Sequence, residues 1–333
     1  MTAAALSRQA HTTPPPRPVV IDTDPGIDDA LALMLALRSP ELQVELITTV
    51  AGNVPVQVAT ANARRILAVL APPAWPVVAQ GAAHPLRRPP HNATAFHGDD
   101  GLGGMTARRH ADGSPYYPVP ARPAARRQAV QRLLQLVQRY GRDLTVIALG
   151  PLTNIARAIQ LAAATMQRLG CLVIMGGAIS VPGNVSAVAE FNIFVDPHAA
   201  DVVFRAGLST TLVPLDVTQQ VRLTRAFLQH AGKRSGASLV QATRHLTQQP
   251  LSSQAQGMAM HDPLAVAATI DPSLVTLTSL PVCVETRGLR TLGMTVADRR
   301  LPVYRSSDMP RLEVALEVKA SRMLELFAAR VLT

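Results

Sequence analysis

Hydrophobic and polar positions alternate regularly over the first two thirds of the chain. Short apolar runs rich in β-branched residues are followed by longer segments in which apolar residues recur every three or four positions. The short runs predict strands, and the longer segments predict amphipathic helices. The predicted strands cover residues 19–21, 44–50, 76–78, 144–148, 171–175 and 211–214. The predicted helices cover residues 28–38, 56–70, 126–140, 152–161 and 197–206.

This order of elements is typical of an α/β protein in which helices connect the strands of a mostly parallel sheet. The pattern changes near the C-terminus: residues 222–260 are polar and predicted helical, 274–305 predict antiparallel strands, and 312–331 predict a closing helix. Residues 1–17 are rich in threonine and proline and predict a disordered tail. We therefore expect a single domain over residues 18–333, an open, mostly parallel sheet flanked by helices with a short antiparallel C-terminal portion.

Polar residues and glycines stand directly after several of the predicted strands. Asp24, Asn53, Gly150, Gly176 and Asp216 each follow the carboxyl end of such a strand. Open parallel sheets bind their ligands in the crevice at this edge. The sequence therefore predicts one site that is assembled from several loops.

The first of these loops is strongly acidic. Asp22, Asp24, Asp28 and Asp29 lie within eight residues, directly after an apolar strand. Carboxylates this close repel one another, and a hard divalent cation such as Ca²⁺ or Mg²⁺ relieves that repulsion through oxygen ligands. The alternative is that Asp28 and Asp29 only cap the following helix. The loop by itself does not decide between the two.

Composition and charge exclude some classes of protein. The net charge is +10, but it comes from dispersed arginines, with lysine only at Lys233 and Lys319, and aromatic residues make up 3%. No basic block or row of aromatic residues indicates a nucleic-acid partner. No apolar run is long enough to span a membrane or to act as a secretory signal. Cys171 and Cys283 lie in apolar runs and are predicted to be core thiols of a reducing compartment, so we expect a cytoplasmic protein.

Several sequence blocks, taken in order, resemble the inosine-uridine-preferring nucleoside hydrolase family from about Val19 to the end of the chain. Each block is short, but the ordered set is specific. The blocks are Asp22-Thr-Asp-Pro-Gly-Ile-Asp-Asp-Ala30, Thr48-Thr-Val-Ala-Gly-Asn53, His97-Gly-Asp-Asp-Gly-Leu-Gly-Gly104, Gly150-Pro-Leu-Thr-Asn-Ile-Ala156, Met175-Gly-Gly-Ala178, Gly183-Asn184, Glu190-Phe-Asn192, Asp196-Pro197 and Met260-His-Asp-Pro-Leu-Ala265.

The resemblance implies Ca²⁺-dependent hydrolysis of the N-glycosidic bond of purine or pyrimidine ribonucleosides, which gives ribose and free base. It implies that Ca²⁺ is held by Asp24, Asp29, Asp262 and the backbone carbonyl of Leu149, and that it also binds the ribose hydroxyls and a water. Relatives often have threonine where Leu149 stands, but a carbonyl ligand does not depend on the side chain. Asp24 would act as the general base on that water, and the transition state would resemble an oxocarbenium ion.

The resemblance also implies which residues bind the ribose. Asp28, Asn53, Asn184, Glu190 and Asn192 match the residues that hold its hydroxyls in the family, and amide side chains both donate to and accept from a polyol. Taken from the residues alone, Asn184 is better interpreted as a left-handed turn residue after a glycine. Glu190 and Asn192 are likewise better interpreted, from the residues alone, as polar residues of a solvated loop.

Two histidines are candidates for contacts with the nucleobase. By resemblance, His261 is the acid that protonates the leaving base and His97 lines the base pocket, whereas His91 and His110 are interpreted as surface residues. Residues 222–260 and the His97 loop should form that pocket, and their lack of tyrosine and tryptophan favours pyrimidines as a hypothesis. The other candidates there are Gln248, Gln249, Gln254, Gln256, Met258 and Met260.

Members of the family are homodimers or homotetramers, and we expect the same here.

Two other functions fit part of the pattern. A strand followed by Asp-x-Asp also begins the haloacid-dehalogenase-like phosphatases, but these need a lysine near the phosphate, and neither Lys233 nor Lys319 follows a predicted strand with a glycine-rich loop. A sugar or nucleoside binder without activity is the second alternative. Such a binder would not need the base that Asp24 provides.

Overall fold

The computed structural model describes residues 15–125, 128–231, 238–301, 303 and 308–333. Its strands are β1 (Arg17–Thr23), β2 (Leu42–Thr49), β3 (Val77–Gln80), β4 (Thr145–Ala148), β5 (Cys171–Met175), β6 (Thr210–Val213), β7 (Arg222–Leu223), β8 (Met258–Ala259), β9 (Val275–Val284), β10 (Thr295–Ala297) and β11 (Arg311–Val318). Its α-helices are α1 (Ile27–Leu37), α2 (Val56–Leu70), α3 (Thr94–His97), α4 (Ala129–Tyr140), α5 (Thr153–Met166), α6 (Phe191–Val195), α7 (Pro197–Phe204), α8 (Leu215–Thr218), α9 (Arg225–Ala231), α10 (Ser238–Ser253), α11 (His261–Ile270) and α12 (Ala320–Val331).

One sheet organises the chain. Its strand order is β10-β9-β11-β6-β5-β4-β1-β2-β3, and the pairs from β11 to β3 are all parallel. Strands β9 and β10 extend it by antiparallel pairing, while β7 and β8 form a separate two-stranded ribbon. The predicted α/β class, with a mostly parallel open sheet and a short antiparallel C-terminal portion, is confirmed.

The order of the strands reverses next to β1. From β1 the chain builds outward through β2 to β3, then returns to β4 on the other side of β1 and builds outward through β5 and β6. The connections on either side of such a point diverge, which opens a crevice at the carboxyl ends of β1 and β4. The loops that follow these two strands carry the acidic cluster and the Gly150-Pro151 turn.

Helix α1 brings two distant parts of the chain together. Residues from Ile27 to Ala36 are buried, as expected for a helix that is apolar on nearly every side. The helix packs on the sheet beside α11, which is also buried from Asp262 to Thr269. Since both helices begin at the same edge of the sheet, the first turn of α1 meets the first turn of α11.

The C-terminal helix predicted over residues 312–331 is wrong in its first part. Residues Arg311–Val318 form β11, and the helix begins only at Ala320. Leu312 and Val314 are buried whereas Arg311 and Glu313 are exposed, which is the alternation of a strand. The spacing of the apolar residues in this segment fits a helix as well as a strand. The segment is a strand because it pairs with β6 and β9.

Other expectations need smaller corrections. Helix α11 was not predicted, although Pro263 in its first turn is compatible with a helix start. Helix α5 continues beyond residue 161 after a backbone break at Ala162. Cys171 and Cys283 lie in β5 and β9 but are only half-buried.

Of the predicted tail, residues 1–14 lie outside the described residues, as do residues 126–127 at the start of a predicted helix. No helix of the described chain is long and apolar enough to cross a membrane.

Candidate active site

A cleft of about 400 Å³ opens at the carboxyl edge of the sheet, beside the reversal of strand order. It brings together most of the residues that the sequence predicted for the site. Those that line it are Asp28, Asn53, His97, Leu149, Asn184, Glu190, Asn192, His261 and Asp262. Asp24 and Asp29 are fully buried directly behind Asn53, whose backbone and side-chain amides donate hydrogen bonds to them.

Carboxylates from opposite ends of the chain meet at this cleft. Oxygens of Asp28, Asp29 and Asp262 lie within 4.8 Å of one another. Burial raises the pKa of Asp28 to about 6, and burial followed by repulsion from Asp28 and Asp29 raises the pKa of Asp262 well above its usual range. A cation that neutralised these groups would remove both effects, so the donor set fits a hard divalent ion.

One carboxylate oxygen of Asp24 accepts a hydrogen bond and the other has no partner among the described residues. The backbone N–H of Asn53 donates to its Oδ2 at 2.6 Å, whereas its buried Oδ1 has no hydrogen-bond partner within the described chain. Burial and the charge of Asp29 raise the pKa of Asp24 well above its usual range. Glycines allow the close fit, because a Cβ on Gly52 or Gly150 would lie 2.0 or 2.5 Å from the carboxylate oxygens of Asp24. A buried, unpartnered carboxylate oxygen is suited to accept a proton or to bind a cation.

Asp29 has two functions that the sequence presented as alternatives. It caps helix α1, because its Oδ2 accepts a hydrogen bond from the backbone N–H of Gly26 at 2.9 Å. It also belongs to the carboxylate cluster, and Thr23 and Asn53 donate to it as well. These donors fix its orientation, so capping and cluster membership are both features of the same side chain.

Asp22 belongs to the acidic loop but was not assigned to the site. Only one of its two buried carboxylate oxygens has hydrogen-bond partners among the described residues. Its Oδ1 accepts from Thr48 Oγ1 at 2.5 Å and from Asn154 Nδ2 at 2.7 Å, while its buried Oδ2 has no partner in the described part of the chain. Burial raises its pKa to about 6. Asn154 also donates to the carbonyl of Thr49, so it ties the ends of β1 and β2 to helix α5.

Glu190 and Asn192 are buried, so their interpretation as polar residues of a solvated loop is wrong. Glu190 precedes helix α6 and accepts from the backbone N–H groups of Gly177 and Asn192, at 3.0 and 2.9 Å. Burial raises its pKa to about 7. Asn192 Nδ2 donates to the carbonyl of Leu149 at 2.7 Å and to that of Met175 at 3.2 Å. This pair links α6 to the carboxyl ends of β4 and β5.

Asn184 lies exposed at the rim of the cleft, where its Oδ1 accepts from the backbone N–H of Phe191 at 2.9 Å. Its φ is not positive, so the left-handed turn interpretation is wrong. Its amide nitrogen remains available to a ligand.

The two histidines are held by hydrogen bonds through Nδ1. His97 Nδ1 accepts from the backbone N–H of Ile27 at 3.1 Å, so a neutral ring carries its proton on Nε2. His261 Nδ1 lies 2.7 Å from Thr218 Oγ1. Burial lowers the pKa of each to about 4, and for His261 the charge of Arg222 adds to the effect.

Further residues that the sequence analysis did not assign to the site also line the cleft. They are Phe96, Phe191, Gln219 and Arg222, together with His91, which is exposed as predicted but also faces the cleft. Of the pocket candidates from residues 222–260, Gln254 and Met258 line the cleft; Gln248, Gln249, Gln256 and Met260 do not. His110 is exposed, as predicted, and stacks on Tyr116. Phe191 could have been found in the sequence, because it separates Glu190 from Asn192; Arg222 gave no such signal.

Comparisons with known proteins find one family over most of the chain. The family model described as inosine-uridine preferring nucleoside hydrolase matches residues 19–325. The chain is 38% identical to an inosine-uridine preferring nucleoside hydrolase of Leishmania major over 86% of this chain and 89% of that protein. It is 39% identical to a non-specific ribonucleoside hydrolase of Escherichia coli over 84% of this chain and 88% of that protein. A solved purine-preferring ribonucleoside hydrolase from Gardnerella vaginalis superposes with a TM-score of 0.82 at 33% identity, over 95% and 98% of the two chains.

Proposed function

The chain belongs to the inosine-uridine preferring nucleoside hydrolase family, and on this basis we propose a Ca²⁺-dependent mechanism for it. Like its relatives, it is an N-glycosidase that hydrolyses ribonucleosides to ribose and free base. Asp24, Asp29, Asp262 and the carbonyl of Leu149 would hold the ion. The observation that supports this most is the cluster of buried carboxylates, with unpartnered oxygens on Asp24 and Asp28.

Each side chain then has a separate task. Bound Ca²⁺ would polarise the attacking water and the ribose hydroxyls. Asp24 accepts the proton of that water through Oδ1, the oxygen that Asn53 leaves free. The water oxygen bonds to the anomeric carbon as the bond to the base breaks, through an oxocarbenium-like transition state that nearby carboxylates stabilise.

Asp28, Asn53, Asn184, Glu190 and Asn192 would orient the ribose. Most of these groups are already fixed by hydrogen bonds to the backbone, so little conformational freedom is lost when the sugar binds. His97 and His261 line the same cleft and would contact the base, with His261 as the candidate acid for its departure.

Ribose release separates this function from the two alternatives. The protein is incubated with inosine, uridine or p-nitrophenyl phosphate, with and without a chelator, and reducing sugar and phosphate are measured. We expect sugar release that the chelator abolishes and Ca²⁺ restores. Release of phosphate, or nucleoside binding without turnover, would contradict the proposal.

Asp24→Asn tests the general base. It should lower kcat by roughly 10²- to 10⁴-fold, because the water loses its proton acceptor. Asp143→Asn, on an exposed turn, is the matched control and should not change kcat. Assembly as a homodimer or homotetramer, a cytoplasmic location and the preference for purine or pyrimidine nucleosides stay predictions.

A further inference from the structure

Arg222 is a cation at the cleft that the mechanism above does not use. It is half-buried and lines the cleft together with His261 and Gln254. It lies in the short strand β7, opposite Ala259 of β8. Arg222 therefore reaches the cleft from a two-stranded ribbon, not from a mobile surface loop.

Backbone carbonyls fix the orientation of its guanidinium group. Nε donates to the carbonyl of Gln219 at 2.8 Å, and Nη1 donates to the carbonyl of Gly257 at 3.1 Å. A guanidinium has five N–H groups, so three remain for a ligand. No carboxylate of the described residues forms an ion pair with Arg222. Its orientation is thus held by neutral carbonyl groups and not by an ion pair.

The turn that supplies one of these carbonyls depends on glycine. Gly257 has a φ of +85°, and a Cβ there would lie 2.6 Å from the carbonyl oxygen of Leu223. A side chain at this position would push β8 away from β7 and move the carbonyl that holds Arg222. The close approach of the ribbon strands therefore sets where the guanidinium points.

We propose that Arg222 binds an oxo group of the nucleobase and stabilises the negative charge that the base acquires as it leaves. The inference rests on the proposed function. When the C1′–N bond breaks, its electron pair stays on the base nitrogen, while the water oxygen bonds to C1′ and its proton passes to Asp24. A fixed guanidinium beside the departing base stabilises this developing anion until the base takes up a proton from His261, the candidate acid, or from solvent.

This arrangement selects among nucleobases. Hypoxanthine and uracil carry oxo groups that accept from a guanidinium and share the negative charge of the departing base. Adenine carries an amino group in place of the 6-oxo group of hypoxanthine, so two donors would face each other. We therefore expect inosine to be preferred over adenosine, and Arg222 to be the main source of that preference.

The test compares Arg222→Leu and Arg222→Lys with the full-length enzyme. Substrates are inosine, adenosine and 4-nitrophenyl β-D-ribofuranoside, whose leaving group is a stable anion without help. We expect Arg222→Leu to lower kcat/KM for inosine by on the order of 10²-fold, and for the nitrophenyl riboside by less than about threefold. Arg222→Lys should recover part of the inosine activity. Arg225→Leu, an exposed arginine on α9 outside the cleft, should behave as wild type.

The outcomes separate this inference from the proposed function. If the wild-type enzyme hydrolyses none of the three ribosides, the proposed function itself fails. Suppose instead that the wild type is active but Arg222→Leu keeps the wild-type ratio of kcat/KM for inosine to that for adenosine. Only the role of Arg222 is then overturned, and the same holds if the variant loses activity on all three ribosides by the same factor. The parallel loss would indicate a damaged cleft, which the activity of Arg222→Lys checks independently.

Discussion

Replacing Asp22 by asparagine isolates the energetic effect of one buried acid. Asparagine has nearly the same shape, and its oxygen retains the hydrogen bonds from Thr48 and Asn154. Burial raises the pKa of Asp22 from 3.8 to about 6. Without a metal ion, the Asp22 carboxyl is therefore protonated in the native state and ionised in the unfolded chain between about pH 4 and pH 6.

The sign of the effect follows from this difference in proton binding. Since the native state binds more protons in that window, the free energy of unfolding of the wild type falls as pH rises through it. A shift of roughly two pKa units corresponds to about 3 kcal/mol. Asp22→Asn removes this loss, so it should equal the wild type near pH 4 and be more stable by up to about 3 kcal/mol at pH 8.

Urea unfolding in a chelating buffer from pH 4 to pH 8 measures this difference, with Asp143→Asn as an exposed control that should follow the wild type. A variant that is less stable than the wild type at pH 8, or a difference that does not change with pH, would refute the reasoning. The first result would mean that the ionised form of Asp22 stabilises the native state.

Three further predictions concern the metal and its surroundings. Ca²⁺ should raise the melting temperature more at pH 8 than at pH 5, because protons compete for carboxylates whose pKa values burial raises; an equal shift in a thermal scan would contradict a carboxylate site. Gly150→Ala places a Cβ 2.5 Å from Asp24 Oδ1 and should lower kcat at least about tenfold in the ribose-release assay, whereas Asp143→Asn on the exposed turn should not change it. Asn192→Leu removes the donor to two buried carbonyls and should lower the urea unfolding free energy by about 2–4 kcal/mol; a change below about 1 kcal/mol would contradict it.

Local pattern was sufficient for most of the strands and helices and for the acidic loop, whereas most candidate site residues came from the resemblance to a family. The parallel strands, the helices that follow them and the acidic loop could be predicted because apolar periodicity and the carboxyl edge of a parallel sheet are properties of short segments. The segment that became β11 could not, since its apolar spacing fits either a helix or a strand. Only its neighbours β6 and β9 select the strand.

The sequence by itself supplied the candidate residues of the site: carboxylates, amides and histidines in ordered blocks that resemble the family. Only the tertiary structure decided how they meet. It buries Glu190 and Asn192, brings Asp262 to within 4.8 Å of the carboxylates of α1, and turns Arg222 of a two-residue strand into the cleft. The physical reason is that burial and charge depend on contacts between residues far apart along the chain, which no local pattern records.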